Sequence, residues 1–252
     1  MQNSGKSKML SVWGSPSSGK TTTAIKLATE LAKQKKNVVV VLCDLVAPAL
    51  PTVLKAKKTP EVSVGAVLSA QTVTQELILK NLTVYDKNPY ISLLGYKANE
   101  NAYTYADYTK ERAVDMLVLL RHIADYVIVD CSSALTDSIL STAALEVADE
   151  VLRLCSCDLK AISYYMSTQP LLADSKFHSE KYLKALSMPR PYEGGAEYDN
   201  AFGGVKFKLP YIPAIEEQAA SLSLTEPLTG KDGKAYESVI AAITQEVFAN
   251  GE

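Results

Sequence analysis

The sequence predicts an α/β fold built on a parallel sheet, and three observations support this. Residues 38–43 form an unbroken apolar run of strand length, and 126–130 form a second run that is apolar up to the closing Asp130, as is typical of strands covered on both faces. A stretch with helical periodicity precedes each run, and this order implies right-handed crossovers between parallel strands. The length of 252 residues, with 47% hydrophobic and 21% charged side chains, suits one such domain and excludes collagen-like, wholly disordered and disulfide-scaffold proteins.

Periodicity predicts the elements in chain order. The apolar run 9–13, which ends at Gly14, predicts the first strand, and apolar residues at helical spacing predict a helix over 22–33. After the strand at 38–43, the pattern predicts a helix at 64–79, a strand at 89–96, a polar, Tyr-rich loop at 98–108, a helix from 109, the strand 126–130, a helix at 138–148, a strand at 150–156 and a helix at 159–172. The last third is predicted to hold a strand at 205–211 and helices at 214–221 and 234–249.

The chain shows no repeat and no linker that would divide it. We therefore expect a disordered N-terminus at residues 1–8 and a single domain over residues 9–252. The stretch 173–208 is polar, contains Pro189, Pro191 and two Gly-Gly pairs, and shows no strand pattern. It is predicted to be an irregular insert.

Charge and cysteine content limit the partners and the cellular compartment that we expect for this protein. With 26 Lys and Arg against 28 Asp and Glu, the net charge of −2 gives no global attraction to nucleic acid or to an anionic membrane. The four cysteines do not form a disulfide framework, and we find no secretory signal and no apolar run long enough to span a membrane. We expect a cytoplasmic protein that a partner could recruit to a membrane or a cell pole; direct binding to DNA or to a membrane is a weaker hypothesis.

The segment 14–21, GSPSSGKT, fits the phosphate-loop pattern G-x-x-x-x-G-K-[ST] between a predicted strand and a predicted helix. Backbone amides of such a loop and the helix N-terminus bind phosphate, Lys20 reaches the β and γ oxygens, and Thr21 binds Mg²⁺. Pro16 has no N–H, so the amides from Ser17 to Thr22 must form the cradle. A Gly- and Ser-rich turn is the alternative. The predicted nucleotide-binding residues are Gly14, Ser15, Ser17, Ser18, Gly19, Lys20, Thr21 and Thr22.

Two aspartates at strand ends complete the predicted site. Asp130 closes the strand 126–130 and is predicted to be the acid on the metal side, since phosphate loops need a carboxylate on a neighbouring strand. Asp44 follows the strand 38–43 and could reach the metal through water, although strand-end aspartates are also common in turns. The predicted catalytic residues are thus Lys20, Asp130 and Asp44, and the predicted metal site comprises Thr21, Asp130 and Asp44.

Five segments together resemble the MinD/ParA superfamily of P-loop ATPases. They are the phosphate loop, VLCD at 41–44, DYVIVD at 125–130, ADEVL at 148–152, and LPYIP at 209–213. The resemblance covers most of the chain and is weakest at 173–208. It implies a doubly wound, mostly parallel sheet flanked by helices, binding of ATP and Mg²⁺, and an ATP-dependent homodimer that positions cargo for a localisation, partition, pilus or conjugation system.

Three departures from the family pattern stand out. Ser15 stands where the family has its signature Lys, at the second position of the loop. Val46 stands where the family has the second Asp of switch I, and a valine cannot order a water molecule. The Asn that reads adenine has no convincing counterpart, which leaves base preference open. Loss of such groups raises the activation barrier to ATP hydrolysis, while the loop amides, Lys20 and Mg²⁺ can still bind the nucleotide. We therefore expect slow or absent hydrolysis; TadZ-like proteins are similarly atypical members.

Other functions and partners stay open from the sequence. A small-molecule kinase or ATP-dependent ligase on a related fold is one alternative, and an interaction module that keeps nucleotide as a structural part is another. A protein of a localisation or secretion machine is the favoured partner. Contact of Lys55, Lys57 and Lys58 with DNA is a weaker hypothesis. Tyr103, Tyr105 and Tyr108 form either a partner-binding patch or a mobile loop.

Overall fold

Eight strands form one sheet in the part of the protein that the computed structural model describes, residues 7–54, 63–187, 189–190 and 195–248. The sheet order is β3-β4-β2-β5-β1-β6-β7-β8, in which β3 is antiparallel to β4 and all other neighbours are parallel. The strands are β1 Lys8–Gly14, β2 Val38–Leu42, β3 Thr83–Val84, β4 Ile91–Gly95, β5 Tyr126–Asp130, β6 Glu150–Ser156, β7 Tyr182–Ser187 and β8 Phe207–Leu209. The predicted mostly parallel α/β sheet is confirmed.

Helices cover both faces of this sheet. They are α1 Lys20–Ala32, α2 Leu50–Val53, α3 Val64–Ser69, α4 Gln75–Asn81, α5 Lys110–Ile123, α6 Ile139–Val147, α7 Leu159–Thr168, α8 Gly195–Ala201, α9 Pro213–Ala220 and α10 Gly230–Phe248. Helices α1, α2, α9 and α10 share one buried core with the sheet, and α3 to α6 share the other. The sheet is therefore doubly wound, as the family resemblance implies.

Alternation along β1 shows how the two layers share the sheet. Leu10 and Val12 point into the core beneath α1 and α10, whereas Met9 and Trp13 point into the opposite core. All these side chains are fully buried, so β1 is a central strand with apolar cover on both sides. The apolar face of the C-terminal helix α10 packs on α1.

Strand register places the ends of β1 and β5 side by side. Val12 pairs with Asp130, so the loop after Gly14 begins next to the last residue of β5. A Cβ atom on Gly14 would lie 2.4 Å from the carbonyl oxygen of Leu154 in β6. Only glycine fits there, because the neighbouring backbone leaves no room for a side chain.

The structure contains α2, β3 and α8, which were not predicted, and it differs from the predicted elements in three further places. The predicted helix 64–79 is two helices, α3 and α4, because Thr74 caps a new helix by accepting a hydrogen bond from the amide of Leu77. Strand β7 lies inside the stretch 173–208, where we found no strand pattern. Lys8, expected in the disordered N-terminus, begins β1, and residues 1–6 lie outside the described residues.

No helix among the described residues is long and apolar enough to cross a membrane. Lys55, Lys57 and Lys58, the residues of the weaker DNA-contact hypothesis, lie outside the described residues.

The Tyr-rich loop does not present three exposed rings. Tyr103 is 98% exposed, but the Tyr105 hydroxyl donates a hydrogen bond to Glu100 and Tyr108 packs against the core. Of the two alternatives left open for this loop, a patch of three exposed tyrosines does not form, because the rings of Tyr105 and Tyr108 contribute to the fold.

Candidate functional site

The phosphate loop leaves β1 and enters α1 through two left-handed residues. Ser17 has a φ of 60° and Gly19 a φ of 79°, and Gly19 is the N-terminal cap of α1. This backbone path points the first amides of α1 toward the open end of the sheet, which is the arrangement that binds anions. The sequence-predicted cradle from Ser17 to Thr22 thus lies at the start of α1.

Lys20 folds back across this loop. Its ammonium donates hydrogen bonds to the carbonyl oxygen of Ser15 at 3.0 Å and to the hydroxyl of Ser133 at 2.7 Å. Burial lowers the pKa of Lys20, while the nearby carboxylates of Asp130 and Asp44 oppose that shift. The charge is thus held in place by neutral oxygens, and an anionic phosphate would be a stronger partner for it.

Thr21 and Asp130 form the other half of the site. The Thr21 hydroxyl donates to Oδ2 of Asp130 at 2.5 Å, and Asp130 is only 4% exposed. Burial raises the pKa of Asp130 to about 6, against the lowering effects of Thr21 and Lys20. The Oδ1 atom is buried and has no hydrogen-bond partner among the described residues. A hydroxyl beside an unpartnered carboxylate oxygen is a donor set that fits Mg²⁺.

Asp44 lies on the same cleft but is held differently. Its Oδ1 accepts hydrogen bonds from the amides of Val46 and Ala47, each at 2.9 Å, so the side chain closes a turn. Lys20, Thr21, Asp44 and Asp130 together line a cleft of about 370 Å³. The structure therefore brings together all the residues predicted to be catalytic or to bind the metal.

The two positions that depart from the family pattern face different surroundings. Ser15 is buried, and its hydroxyl lies 3.4 Å from the hydroxyl of Ser156 at the end of β6. Val46 is 92% exposed in the loop that carries Asp44. Neither side chain carries a charge that could act on a nucleotide.

A second cleft of about 340 Å³ continues from the phosphate loop. It shares Ser17, Gly19 and Thr22 with the first cleft and extends to Arg190, Tyr211 and Glu216. The guanidinium of Arg190 lies 5.5 Å from the Tyr211 ring centre and 3.6 Å from the Glu216 carboxylate. No Asn occurs between Tyr182 and Gly194, so the sequence offers no counterpart of the adenine-reading Asn directly after β7.

Sequence reasoning missed two hydroxyls that hold this site. Ser133 accepts the hydrogen bond from Lys20, and Ser187 at the end of β7 donates one to the carbonyl oxygen of Ser18. Ser133 follows Asp130 by three residues and could have been found by its position after a strand end. Ser187 could not, because strand β7 was not recognised.

This geometry defines the class of protein. A glycine-rich loop between β1 and α1, with a Lys, a Thr and a strand-end Asp around one cleft, is the site of a P-loop nucleotide-binding protein. A family model described as an AAA domain, AAA_31, matches residues 16–171, which is more than half of the chain. The chain belongs to this family, and the predicted membership of the MinD/ParA superfamily is confirmed. No curated protein matches the sequence.

Solved structures share the whole fold at low sequence identity. A ParA family ATPase from Chlorobium tepidum TLS superposes with a TM-score of 0.77 at 16% identity, covering 94% of this chain and 98% of that chain. The cell division ATPase MinD of Pyrococcus furiosus gives 0.73 at 18% identity, covering 95% and 99%. The septum site-determining protein MinD of Pyrococcus horikoshii OT3, complexed with Mg-ADP, gives 0.73 at 15% identity, covering 96% and 98%.

Proposed function

We propose that this chain binds ATP and Mg²⁺ and acts as a nucleotide-controlled dimer or scaffold in a localisation, partition, pilus-assembly or conjugation system, with slow or absent hydrolysis. The observation that carries the proposal is the unpartnered Oδ1 of Asp130 beside the Thr21 hydroxyl and the Lys20 ammonium. Mg-ADP in the Pyrococcus horikoshii relative supports the same ligand class here.

The residues present fit a magnesium nucleotide. Thr21 and Asp130 would hold the metal, with Asp44 acting through water, and the bound ion would neutralise charge on the phosphates. Lys20 would exchange its contacts with Ser15 and Ser133 for phosphate oxygens, because charge-assisted hydrogen bonds are stronger than those to neutral oxygens. The base would lie in the second cleft near Arg190 and Tyr211.

Slow hydrolysis follows from what the site lacks. Ser15 supplies no cation to a partner subunit's phosphates, and Val46 supplies no oxygen to orient water. The amides of the loop, Lys20 and the metal-binding pair still favour the bound ground state. Binding without rapid turnover suits a protein whose output is a protein contact.

Light scattering with ATP, with ADP and without nucleotide tests the dimer. We expect a shift from monomer to dimer with ATP alone, and we expect Lys20→Ala to abolish it. The exposed Lys33→Ala serves as the matched control and should behave as wild type, since the one side-chain contact it removes among the described residues is an ion pair with Glu30. An oligomeric state that is the same with ATP, with ADP and without nucleotide would overturn the nucleotide-controlled dimer. It would favour an interaction module that keeps its nucleotide as a structural part.

A turnover assay tests slow hydrolysis. We expect far less than about one turnover per second, the low end for typical enzymes, with Lys20→Ala as the blank. Turnover at ordinary enzyme rates would overturn the proposal, and stimulation by a metabolite would favour a small-molecule kinase or ligase. The double variant Ser15→Lys and Val46→Asp should raise the rate if these positions limit it. No gain would place the limit elsewhere in the site.

A further inference from the structure

A third cleft lies on the face of the sheet that carries α7. It has a volume of about 540 Å³ and opens between β6, β7, α7 and the short 3₁₀ turns that follow α7. Arg153, Tyr165, Tyr182 and Lys184 are among the residues that line it. None of its lining residues lines either cleft next to the phosphate loop. It is therefore a separate cavity with its own chemistry.

Arg153 is the unusual group in this cleft. It sits in the middle of β6, is only 3% exposed, and has its guanidinium carbon 4.1 Å from the Tyr165 ring centre and 4.8 Å from that of Trp13. All its hydrogen bonds to the described residues leave from Nη2, to the Thr168 hydroxyl at 2.6 Å and the Tyr165 carbonyl oxygen at 3.3 Å. One edge of the guanidinium is left without a partner in the described part of the chain.

No negative charge compensates this buried cation among the described residues. The titratable groups that face Arg153 are all neutral: one thiol and three phenols, those of Cys155, Tyr164, Tyr165 and Tyr182. Burial lowers the pKa of Arg153, and raises the pKa of Cys155 to about 11, so the thiol stays neutral. Buried charges are normally paired, because a lone charge loses its hydration without a counterion. The aromatic rings offset only part of that loss.

A second residue that lines the cleft, Tyr182, carries a polar group without a partner in the described part of the chain. The Tyr182 hydroxyl is buried and makes no hydrogen bond to the described residues. Tyr182 begins β7, and register pairs the next inward residue, Lys184, with Arg153. A free phenol hydroxyl and a free guanidinium edge on neighbouring strands are two donors that one oxyanion can accept from.

Other charged side chains line the cleft, and each has a contact among the described residues. The Asp174 carboxylate lies 3.2 Å from the Lys176 ammonium, and the Glu180 carboxylate lies 3.2 Å from the His178 ring. The Lys184 ammonium is hydrogen-bonded to the carbonyl oxygens of Phe202 and Gly203. The uncommitted guanidinium edge of Arg153 matches a planar carboxylate in two-point geometry.

We propose that this cleft binds a small organic carboxylate, with the carboxylate on Arg153 and Tyr182 and an apolar or aromatic body against Tyr165 and Leu172. The lining supports such a body, since Leu172 and the Tyr165 ring form part of the wall. This site does not depend on nucleotide binding at the phosphate loop.

Benzoate is the probe for this site, and benzamide and phenyl phosphate are its comparators. Titration of the full chain, followed by NMR shifts and by calorimetry, should show saturable benzoate binding with a Kd on the order of 1 mM or tighter. We expect benzamide, which is neutral and has the same shape, to bind at least about tenfold more weakly. Binding of benzoate should persist in Lys20→Ala, which separates this site from the phosphate loop.

Two variants place the ligand. Arg153→Met should lose at least about tenfold in benzoate affinity, and Tyr182→Phe, which keeps the ring, should lose about threefold to tenfold. Arg112→Met removes an arginine whose one hydrogen bond to the described residues is a 3.5 Å contact with Leu68, and it should bind as wild type. If Arg153→Met does not fold, Tyr182→Phe and Arg153→Lys carry the test. Benzoate binding that is absent, or unchanged in all these variants, overturns the proposal, and tighter binding of phenyl phosphate overturns the carboxylate assignment.

Discussion

Replacing Asp130 by Asn removes the buried carboxylate beside the phosphate loop while keeping an oxygen that can accept from Thr21. The carboxyl has a pKa of about 6 in the folded protein, against an ordinary value of 3.8. The folded state thus binds this proton more tightly than the unfolded state does. Between these two values the free energy of unfolding falls as the pH rises, because the folded state gives up its proton last.

The size of the effect follows from the two pKa values. When the pH rises from below both pKa values to above both, the free energy of unfolding falls by ~3 kcal/mol. Over the accessible range from pH 4 to pH 7, the wild type should lose about 2 kcal/mol relative to Asp130→Asn. The variant has no carboxyl at this position, so its stability lacks this contribution to the pH dependence.

Urea unfolding at half-unit steps from pH 4 to pH 7, without nucleotide or Mg²⁺, measures this difference. Asp137→Asn, in the exposed loop after β5, shows what loss of a solvent-facing carboxylate does over the same range. A difference between wild type and Asp130→Asn that stays constant with pH, or that grows in favour of the wild type, would refute the reasoning. Addition of Mg²⁺ at pH 7 should then stabilise the wild type and leave Asp130→Asn unchanged.

Two further substitutions test the frame of the site. Gly14→Ala should cost about 1–3 kcal/mol in urea unfolding and abolish nucleotide binding, because its Cβ would meet the Leu154 carbonyl oxygen at 2.4 Å. Gly195→Ala is the control, with nothing closer than 3.7 Å, and should be neutral or stabilising. Ser187→Ala removes the hydrogen bond to the carbonyl oxygen of Ser18 and should weaken ADP binding about threefold to tenfold in calorimetry. An unchanged Kd would show that this contact does not hold the loop.

Local signals predicted the central part of the fold. Strands β2 and β5 are apolar in every position but the last of β5, since both faces of a central strand are covered, and such runs are visible without any structure. The phosphate loop is equally local, because eight consecutive residues carry the motif. Asp130 was found because strand ends on one edge of a parallel sheet meet near such a loop.

Strand β7 could not be found in the same way. Its first three residues are only half buried, and Lys184 stands in the strand with its stem over the sheet and its ammonium on backbone carbonyl oxygens. The partners of Lys184 follow α8, almost twenty residues further along the chain. Periodicity within the strand cannot reveal contacts with such a segment. Ser187 and Arg153 were missed for the same reason, because each takes its role from a neighbouring strand or helix.

The Arg153 cleft and the phosphate loop are linked by a continuous set of contacts. Arg153 packs on the ring of Trp13, which directly precedes Gly14. The Tyr164 ring packs on the same Trp13 ring, with 5.7 Å between the ring centres. The Tyr164 hydroxyl donates to the carbonyl oxygen of Ser133, whose own hydroxyl accepts from Lys20. If nucleotide draws Lys20 off Ser133 and this alters the affinity for benzoate, benzoate must alter the affinity for nucleotide by the same factor. Equal factors in the two titrations would mark one coupling free energy shared by both sites.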